Sequence, residues 1–125
     1  MDGFLDELDR ACLTLDIGPG PLDFEIDTGF HGTLVIGEEL FEAAGAVPVG
    51  PVEADLAGEQ RCVFDSYQVD FVWLGQPVRV QILVGPGKQC LLGTVLLTPH
   101  RLEIDYDQRQ VRLVPQGAWT ANSGA

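Results

Sequence analysis

Cationic side chains are scarce in this chain of 125 residues. Lys and Arg together number 7 and Asp and Glu 19, which gives a formal net charge of −12 at pH 7. A protein binds the phosphate backbone of a nucleic acid through a cationic face that releases counterions, and so few cations can hardly supply one. The composition therefore argues against a nucleic-acid partner and favours basic or neutral polypeptides.

Cysteine and histidine are also few. The three cysteines, Cys12, Cys62 and Cys90, are widely spaced without a Cys-x-x-Cys pair, and His31 and His100 lie far apart in the sequence. An odd number of cysteines at such spacing indicates neither a disulfide framework nor a zinc site. We expect a protein without a metal or a cofactor.

Long apolar runs are missing as well. No run approaches the roughly 20 apolar residues that a membrane-spanning helix needs. Residues 1–7 are acidic, whereas the start of a secretory signal is basic. We expect a protein without a membrane partner and with a cytoplasmic location.

Short apolar segments separated by Gly and Pro residues occupy most of the chain and predict an all-β fold. The predicted strands are residues 11–17, 21–27, 33–36, 52–57, 60–66, 67–74, 78–84, 101–105 and 110–114. The Gly58-Glu59 pair between the fourth and fifth strands predicts a protruding hairpin. Regular alternation of apolar residues indicates that the sixth and seventh are core strands.

Two segments between the predicted strands have a different pattern. Residues 37–45 are predicted to form a short helix, with Glu38 and Glu39 close to the positive end of its dipole. Residues 46–51 are predicted to be a proline-rich connection.

Apolar residues make up 46% of the chain, enough at this length for one core. The sequence therefore predicts a single domain over residues 11–114. Residues 1–10 are predicted to form a helical turn or a loose N-terminal arm, and residues 115–125 a flexible C-terminal tail.

Residues 24–30 read Phe-Glu-Ile-Asp-Thr-Gly-Phe and place Asp27-Thr28-Gly29 at the end of an alternating strand. A carboxylate there, followed by a hydroxyl residue and a glycine that frees the backbone to turn, can present its oxygens into a cleft. Asp and Gly are also common in ordinary hairpin turns. The motif alone is compatible with half of an active site or with a simple turn.

A second element lies later in the chain, where residues 90–97 read Cys-Leu-Leu-Gly-Thr-Val-Leu-Leu. With Asp27-Thr28-Gly29, this apolar pair and glycine before a short helix resemble the retropepsin-like aspartic proteases, over roughly residues 11–114. Small bacterial members of that family commonly have Phe directly after Asp-Thr-Gly, and this sequence resembles them because Phe30 stands at that position. The resemblance implies a small closed β-barrel with one or two short helices and a flap hairpin.

The same resemblance assigns roles at the motif. Asp27 would be the catalytic carboxylate, Thr28 would hydrogen-bond across a dimer, and Gly29 would let a backbone amide approach the carboxylate. Three residues would form a scaffold loop beneath the turn: Leu91, Leu92 and Gly93.

The predicted hairpin would then be the flap, with Ala57, Gly58 and Glu59 at its tip and Phe30 as a further substrate contact. A water-assisted hydrolysis needs a cover that excludes bulk solvent and holds an extended peptide by its backbone. The expected substrate is accordingly a polypeptide in extended conformation.

A single Asp27 cannot perform this chemistry alone. Peptide hydrolysis by carboxylates needs one group ionised as a general base and another protonated as a general acid. An isologous homodimer brings the same residue of each subunit to the twofold axis, where the two carboxyl groups share a proton. The sequence therefore predicts an aspartic endopeptidase that acts as a homodimer.

Two other interpretations remain open. The fold could be kept as a dimeric binding or regulatory domain with weak or absent proteolysis, because Phe30 can donate no side-chain hydrogen bond to the carboxylate. The chain could also be a monomeric β-barrel interaction module in which Asp-Thr-Gly is incidental. Dimerisation and the sensitivity of peptide cleavage to Asp27→Asn distinguish the three.

Overall fold

The structure is a computed structural model that describes residues 1–18, 20–55 and 61–115. Its elements, in chain order, are β1 (Asp2–Leu5), β2 (Ala11–Asp16), β3 (Pro21–Ile26), β4 (Leu34–Gly37), β5 (Val47–Asp55), β6 (Arg61–Trp73), β7 (Gln76–Gly85), β8 (Leu91–Leu92), α1 (Thr94–Leu97), β9 (Arg101–Asp105) and β10 (Gln110–Val114). The prediction of an all-β fold is confirmed.

The ten strands form one sheet in the order β5-β6-β7-β4-β8-β3-β2-β1-β10-β9. Within the described residues, β5 and β9 are the two edges and do not pair with each other, so the sheet is open and the expected closed barrel is not confirmed. Strand β5 suits an edge because Pro48 and Pro51 have no backbone N–H to donate to a further strand.

Three predicted hairpins are confirmed. Strands β2 and β3 pair from Cys12 to Asp16, and β9 and β10 form the last hairpin of the chain. The protruding hairpin is formed by β5 and β6, whose pairing extends from Val47 to Asp55, while Ala57, Gly58 and Glu59 lie outside the described residues. Strand β6 continues without a break through the predicted boundary at Ser66 and Tyr67 and pairs with β7.

The prediction of a helical turn or loose arm for residues 1–10 is wrong. Strand β1 pairs antiparallel with both β2 and β10, and the N-terminal ammonium of Met1 donates to the Leu113 carbonyl O at 2.9 Å. Glycine at position 3 allows β1 to lie this close to β2, because the Cβ of any other residue would lie only 2.7 Å from Leu13 Cδ2 and would clash with it.

The predicted helix over residues 37–45 is also wrong, because Gly37 ends β4 and residues 38–45 form turns and irregular structure. The backbone N–H groups of Glu38 and Glu39 donate to the carbonyls of Gly85 and Gly87, at 2.7 and 3.0 Å, so these residues are not partners of a helix dipole. The predicted connection at residues 46–51 belongs for the most part to β5.

Most buried residues form one main core around β2, β3, β4, β6 and β7. The alternation predicted for β6 is confirmed, since Val69, Phe71 and Trp73 are all buried. Leu13 and Phe24 are fully buried, and such a side chain contributes about 1.5–3 kcal/mol through removal from water. The short helix predicted after residue 93 is confirmed as α1, which buries Leu96 and Leu97.

A second, smaller core lies beside the main one. It consists of Phe30, Val35, Phe64, Leu83 and Leu91, with Val52 and Ala54 packed against it. Its members come from five different parts of the chain, and they link the β5–β6 hairpin to β4, β7 and β8.

Helix α1 has four residues, and no helix in the described ranges is long and apolar enough to cross a membrane.

Candidate active site

Strand β8 organises the region around Asp27. It lies between β3, with which it is parallel, and β4, with which it is antiparallel. Residues 27–33, which connect β3 to β4, must therefore pass around the end of β8, and this places the Asp-Thr-Gly turn above Leu91, Leu92 and Gly93.

Four backbone hydrogen bonds fasten residues 27–33 to the end of β8 and the start of α1. The N–H of Asp27 donates to the Leu92 carbonyl at 2.9 Å, and the N–H of Gly93 donates to the Thr33 carbonyl at 2.8 Å. The N–H groups of Thr94 and Val95 donate to the carbonyls of Phe30 and Gly32 at 2.9 and 3.1 Å. The turn is thereby held by an element that lies more than sixty residues later in the chain.

Gly93 permits this close approach. Its φ of −95° is ordinary for any residue, so conformational freedom does not explain the glycine. A Cβ at this position would instead lie 2.7 Å from the Phe30 carbonyl O and would also contact the Gly32 carbonyl O. Side chains cannot occupy this position without displacing the turn.

The Asp27 side chain is half-buried at the end of β3. Its Oδ1 accepts a hydrogen bond of 2.9 Å from the N–H of Gly29, and its carbonyl accepts one of 3.1 Å from the N–H of Phe30. Thr28 and Gly29 are exposed. A carboxylate held in this way keeps a fixed orientation while it remains accessible from solvent.

The ring of Phe30 points away from solvent. It is 4% exposed, belongs to the second core and lies under Gly32 and Gly93, where a Cβ would contact the ring. The structure thus places Phe30 beneath the turn, where it supports the backbone of the site.

Asp27 and Thr28 line a cleft of about 940 Å³. Residues 62–65 of β6 form another part of its lining, and residues 84–86 at the end of β7 a third. The stem of the predicted flap hairpin therefore borders the same cleft as the candidate carboxylate. The cleft has the size of a small-ligand or peptide site.

A second hollow of about 490 Å³ lies beyond Phe30. Its apolar lining comes from Phe30, Val52, Ala54 and Leu83, all of which belong to the second core or pack against it. Phe64 and Leu91 of the same core line the cleft with Asp27, so the second core separates the two cavities.

Three further acidic residues line the cleft with Asp27: Glu25, Glu38 and Asp65. Glu25 precedes Asp27 by two positions and projects from the same face of β3, a relation that strand alternation could have predicted. Glu38 and Asp65 come from distant segments, and no pattern in the sequence predicts either at the site. Within the described residues, no group of three or more His, Cys, Asp or Glu side chains is placed to hold a metal ion.

His31 links the turn to α1. Its Nδ1 lies 3.3 Å from Thr94 Oγ1, and both residues are adjacent to backbone that is already hydrogen-bonded across the two segments.

We expect Cys62 to be the cysteine that reacts quickly with a thiol reagent. It is exposed and lines the cleft, whereas Cys12 and Cys90 are buried and burial raises the pKa of both thiols. Thiolate is the reactive form, so a higher pKa slows both buried groups. The chain is treated with an aromatic disulfide at about pH 8, and peptide mapping identifies the labelled cysteines. One cysteine should react quickly in the folded chain, and all three should react quickly in denaturant. Fast labelling of Cys12 or Cys90 in the folded chain would contradict the structure.

Solved structures that match this fold include the following two. The crystal structure of a retropepsin-like aspartic protease from Rickettsia conorii has a TM-score of 0.58 at 15% sequence identity, covering 90% of this chain and 88% of that one. The foamy viral protease-reverse transcriptase in complex with an RNA/DNA hybrid has a TM-score of 0.54 at 18% identity. This match covers 75% of this chain but only 13% of the viral chain.

No family model and no curated protein matches the sequence. The structural matches establish that the chain has a retropepsin-like fold, and at such low identity they establish the fold alone.

Proposed function

We propose that the chain is an aspartic endopeptidase of the small bacterial type, in which Phe30 follows Asp-Thr-Gly. The observation that carries this proposal is the position of Asp27, which lies at the wall of a cleft of about 940 Å³ on a turn fastened to β8. The retropepsin-like fold is consistent with this activity.

In the proposed reaction, two Asp27 carboxyl groups act together, one from each subunit of a homodimer. One is ionised and accepts a proton from the attacking water, while the other is protonated and donates to the peptide carbonyl or the leaving nitrogen. The exposed Thr28 and Gly29 are available for contact with the matching turn of a partner subunit, and Thr28 would bond across that contact. Because the two groups are coupled, their titration belongs to the pair.

The substrate would be a polypeptide in extended conformation. The cleft is bordered by β3, the end of β7 and the stem of the β5–β6 hairpin, and these strands offer apolar and polar walls along its length. Ala57, Gly58 and Glu59 would cover the substrate as a flap. The cytoplasmic location and the domain limit at residue 114 remain predictions of the sequence, whereas β1 extends the sheet beyond the predicted limit at residue 11.

Digestion of a diverse peptide library from about pH 3.5 to 7, read by mass spectrometry, tests the activity. Cleavage by the wild-type chain that disappears in Asp27→Asn would support the proposal. Equal cleavage by both would contradict it. A folded dimer that cleaves nothing would point to the alternative of a silent binding or regulatory domain, and a monomer to an interaction module.

Subunit mixing tests the shared site. When half of the chains are replaced by Asp27→Asn at constant total concentration, we expect about one quarter of the activity to remain, because random pairing leaves that fraction of dimers with two Asp27 carboxylates. A site complete within one chain would retain about one half. Replacement of half of the chains by Asp16→Asn serves as the control and should leave the activity unchanged.

A further inference from the structure

The two cavities on either side of the second core differ in chemistry. The cleft with Asp27, here called the acidic cleft, also carries Glu25, Glu38 and Asp65, and no Lys, Arg or His of the described residues lines it. The smaller cavity, here called the apolar hollow, is lined mainly by apolar surface, and its polar lining residues are His31, Thr33 and Gln81. One extended ligand that occupies both would meet two different environments.

The backbone fixes where the acidic side chains lie. Glu25 donates its N–H to the Cys90 carbonyl at 2.9 Å, and Glu38 donates its own to the Gly85 carbonyl at 2.7 Å. Asp65 lies on β6 directly opposite Val84 of β7. Each carboxylate is therefore carried by a backbone segment that is hydrogen-bonded to a second strand or turn.

Little in the described structure neutralises these charges. Arg10 Nε lies 3.6 Å from Glu25 Oε1, but it lies closer to Asp6 Oδ2, at 2.8 Å. Within the described residues, neither Glu38 nor Asp65 forms an ion pair. A concave site lined by one sign of charge attracts ligands of the opposite sign and repels those of its own.

Resting on the proposed endopeptidase function, we propose that the preferred substrates are extended polypeptide segments in which a lysine or arginine stands beside a large apolar residue. The cation enters the acidic cleft, and the apolar side chain fills the hollow lined by Phe30, Val52 and Leu83. Neighbouring side chains of an extended peptide point to opposite sides, so adjacent positions can enter different cavities. In a dimer each subunit contributes one cavity of each kind.

Peptide binding to Asp27→Asn tests this inference without catalysis. The ligands are three fluorescent octapeptides of identical sequence that carry lysine, norleucine or glutamate at one central position, next to a leucine. At low salt we expect the lysine peptide to bind about tenfold tighter than the norleucine peptide, which is the gain that two or three exposed charge pairs can provide. The glutamate peptide should bind more weakly than either. The lysine advantage should shrink in 0.5 M NaCl. Replacement of the neighbouring leucine by serine should weaken binding several-fold.

Matched variants test whether the carboxylates of the acidic cleft cause the preference for the lysine peptide. In the Asp27→Asn background, Glu38→Gln with Asp65→Asn should reduce the preference for lysine over norleucine to about twofold or less. The control, Glu7→Gln with Asp107→Asn, removes the same charge from exposed residues outside the cleft and should preserve the preference. Equal affinity for lysine and norleucine, an effect as large in the control, or no binding of any peptide would overturn the proposal.

Cleavage by the wild-type chain separates this inference from the function on which it rests. If the chain cleaves peptides without any preference for basic residues, the endopeptidase stands and the substrate class is wrong. If lysine peptides bind selectively but none is cleaved, recognition by the acidic cleft stands and the endopeptidase is wrong.

Discussion

The Asp27→Asn variant should lose at least about 10³-fold in kcat/KM for peptide cleavage. Asparagine keeps the shape of the side chain and can still accept the hydrogen bond from the N–H of Gly29. It can neither take a proton from water nor donate one as an acid, so a dimer of this variant lacks both halves of the general acid–base pair. Such a loss corresponds to about 4 kcal/mol of transition-state stabilisation. Steady-state kinetics on the best peptide of a library gives the ratio.

The chain offers a matched control for this variant. Asp16 lies at the end of β2, and its Oδ1 accepts a hydrogen bond of 2.9 Å from the N–H of Gly18, which is the local geometry of Asp27 and Gly29. Asp16 does not line the cleft. Asp16→Asn should therefore change stability as Asp27→Asn does and leave kcat/KM within about twofold of the wild-type value. Comparable losses in both variants would show that the activity falls through a general effect on folding and not through loss of proton transfer.

The parts of the fold that the sequence predicts best are those held by local pairing. Strands β2 and β3, and likewise β9 and β10, are joined by short turns and alternate regularly, so their hairpins follow from pattern alone. Strand β1 is not predicted, although it pairs with the neighbouring β2 as well as with the distant β10, because its four residues carry little pattern. Strand β5 is longer than predicted because prolines normally interrupt strands, and only its edge position accommodates them.

The segment of residues 37–45 shows how tertiary contacts override local preference. Its composition suits a helix, but Gly37 packs so closely against Gly87 and Lys88 that a Cβ would lie 2.6 Å from Lys88 Cα. This contact lets the N–H groups of Glu38 and Glu39 reach carbonyls at the end of β7 and in the turn that follows it. The same contact brings Glu38 to the cleft, which explains why its place there is not visible in the sequence.

The candidate site likewise contains residues that the sequence predicts and residues that it does not. Asp27, Thr28 and Gly29 form a contiguous motif, and their chemistry can be read from residue type. Glu38 and Asp65 reach the cleft only because β4 pairs with β7 and β6 pairs with β7 on its other side. Residues that are brought together by non-local strand pairing leave no local signal in the sequence. The catalytic motif can therefore be predicted from the sequence, whereas the substrate preference can be inferred only from the structure.

Gly93→Ala should both destabilise the fold and remove most of the activity. The added methyl group would contact the carbonyl oxygens of Phe30 and Gly32, and these oxygens also accept the hydrogen bonds from Thr94 and Val95. Backbone atoms cannot rotate away as a side chain can, so the turn must shift. We expect the free energy of unfolding to fall by about 3 kcal/mol, the upper end for an overpacked site. Urea unfolding and peptide cleavage measure the two effects.

Gly45→Ala separates crowding from backbone strain. Gly45 has a φ of +81°, and an added methyl group there would have nothing within 4 Å, the reverse of Gly93. Its replacement therefore costs only the strain of a left-handed residue, about 1–2 kcal/mol. Gly45 lies outside the cleft, so the variant should retain full activity per folded chain. If Gly93→Ala also kept full activity per folded chain, the support of the Asp27 turn by β8 would not be needed for catalysis. Loss of activity in Gly93→Ala alone would show that the position of Asp27 depends on a backbone contact that only glycine permits.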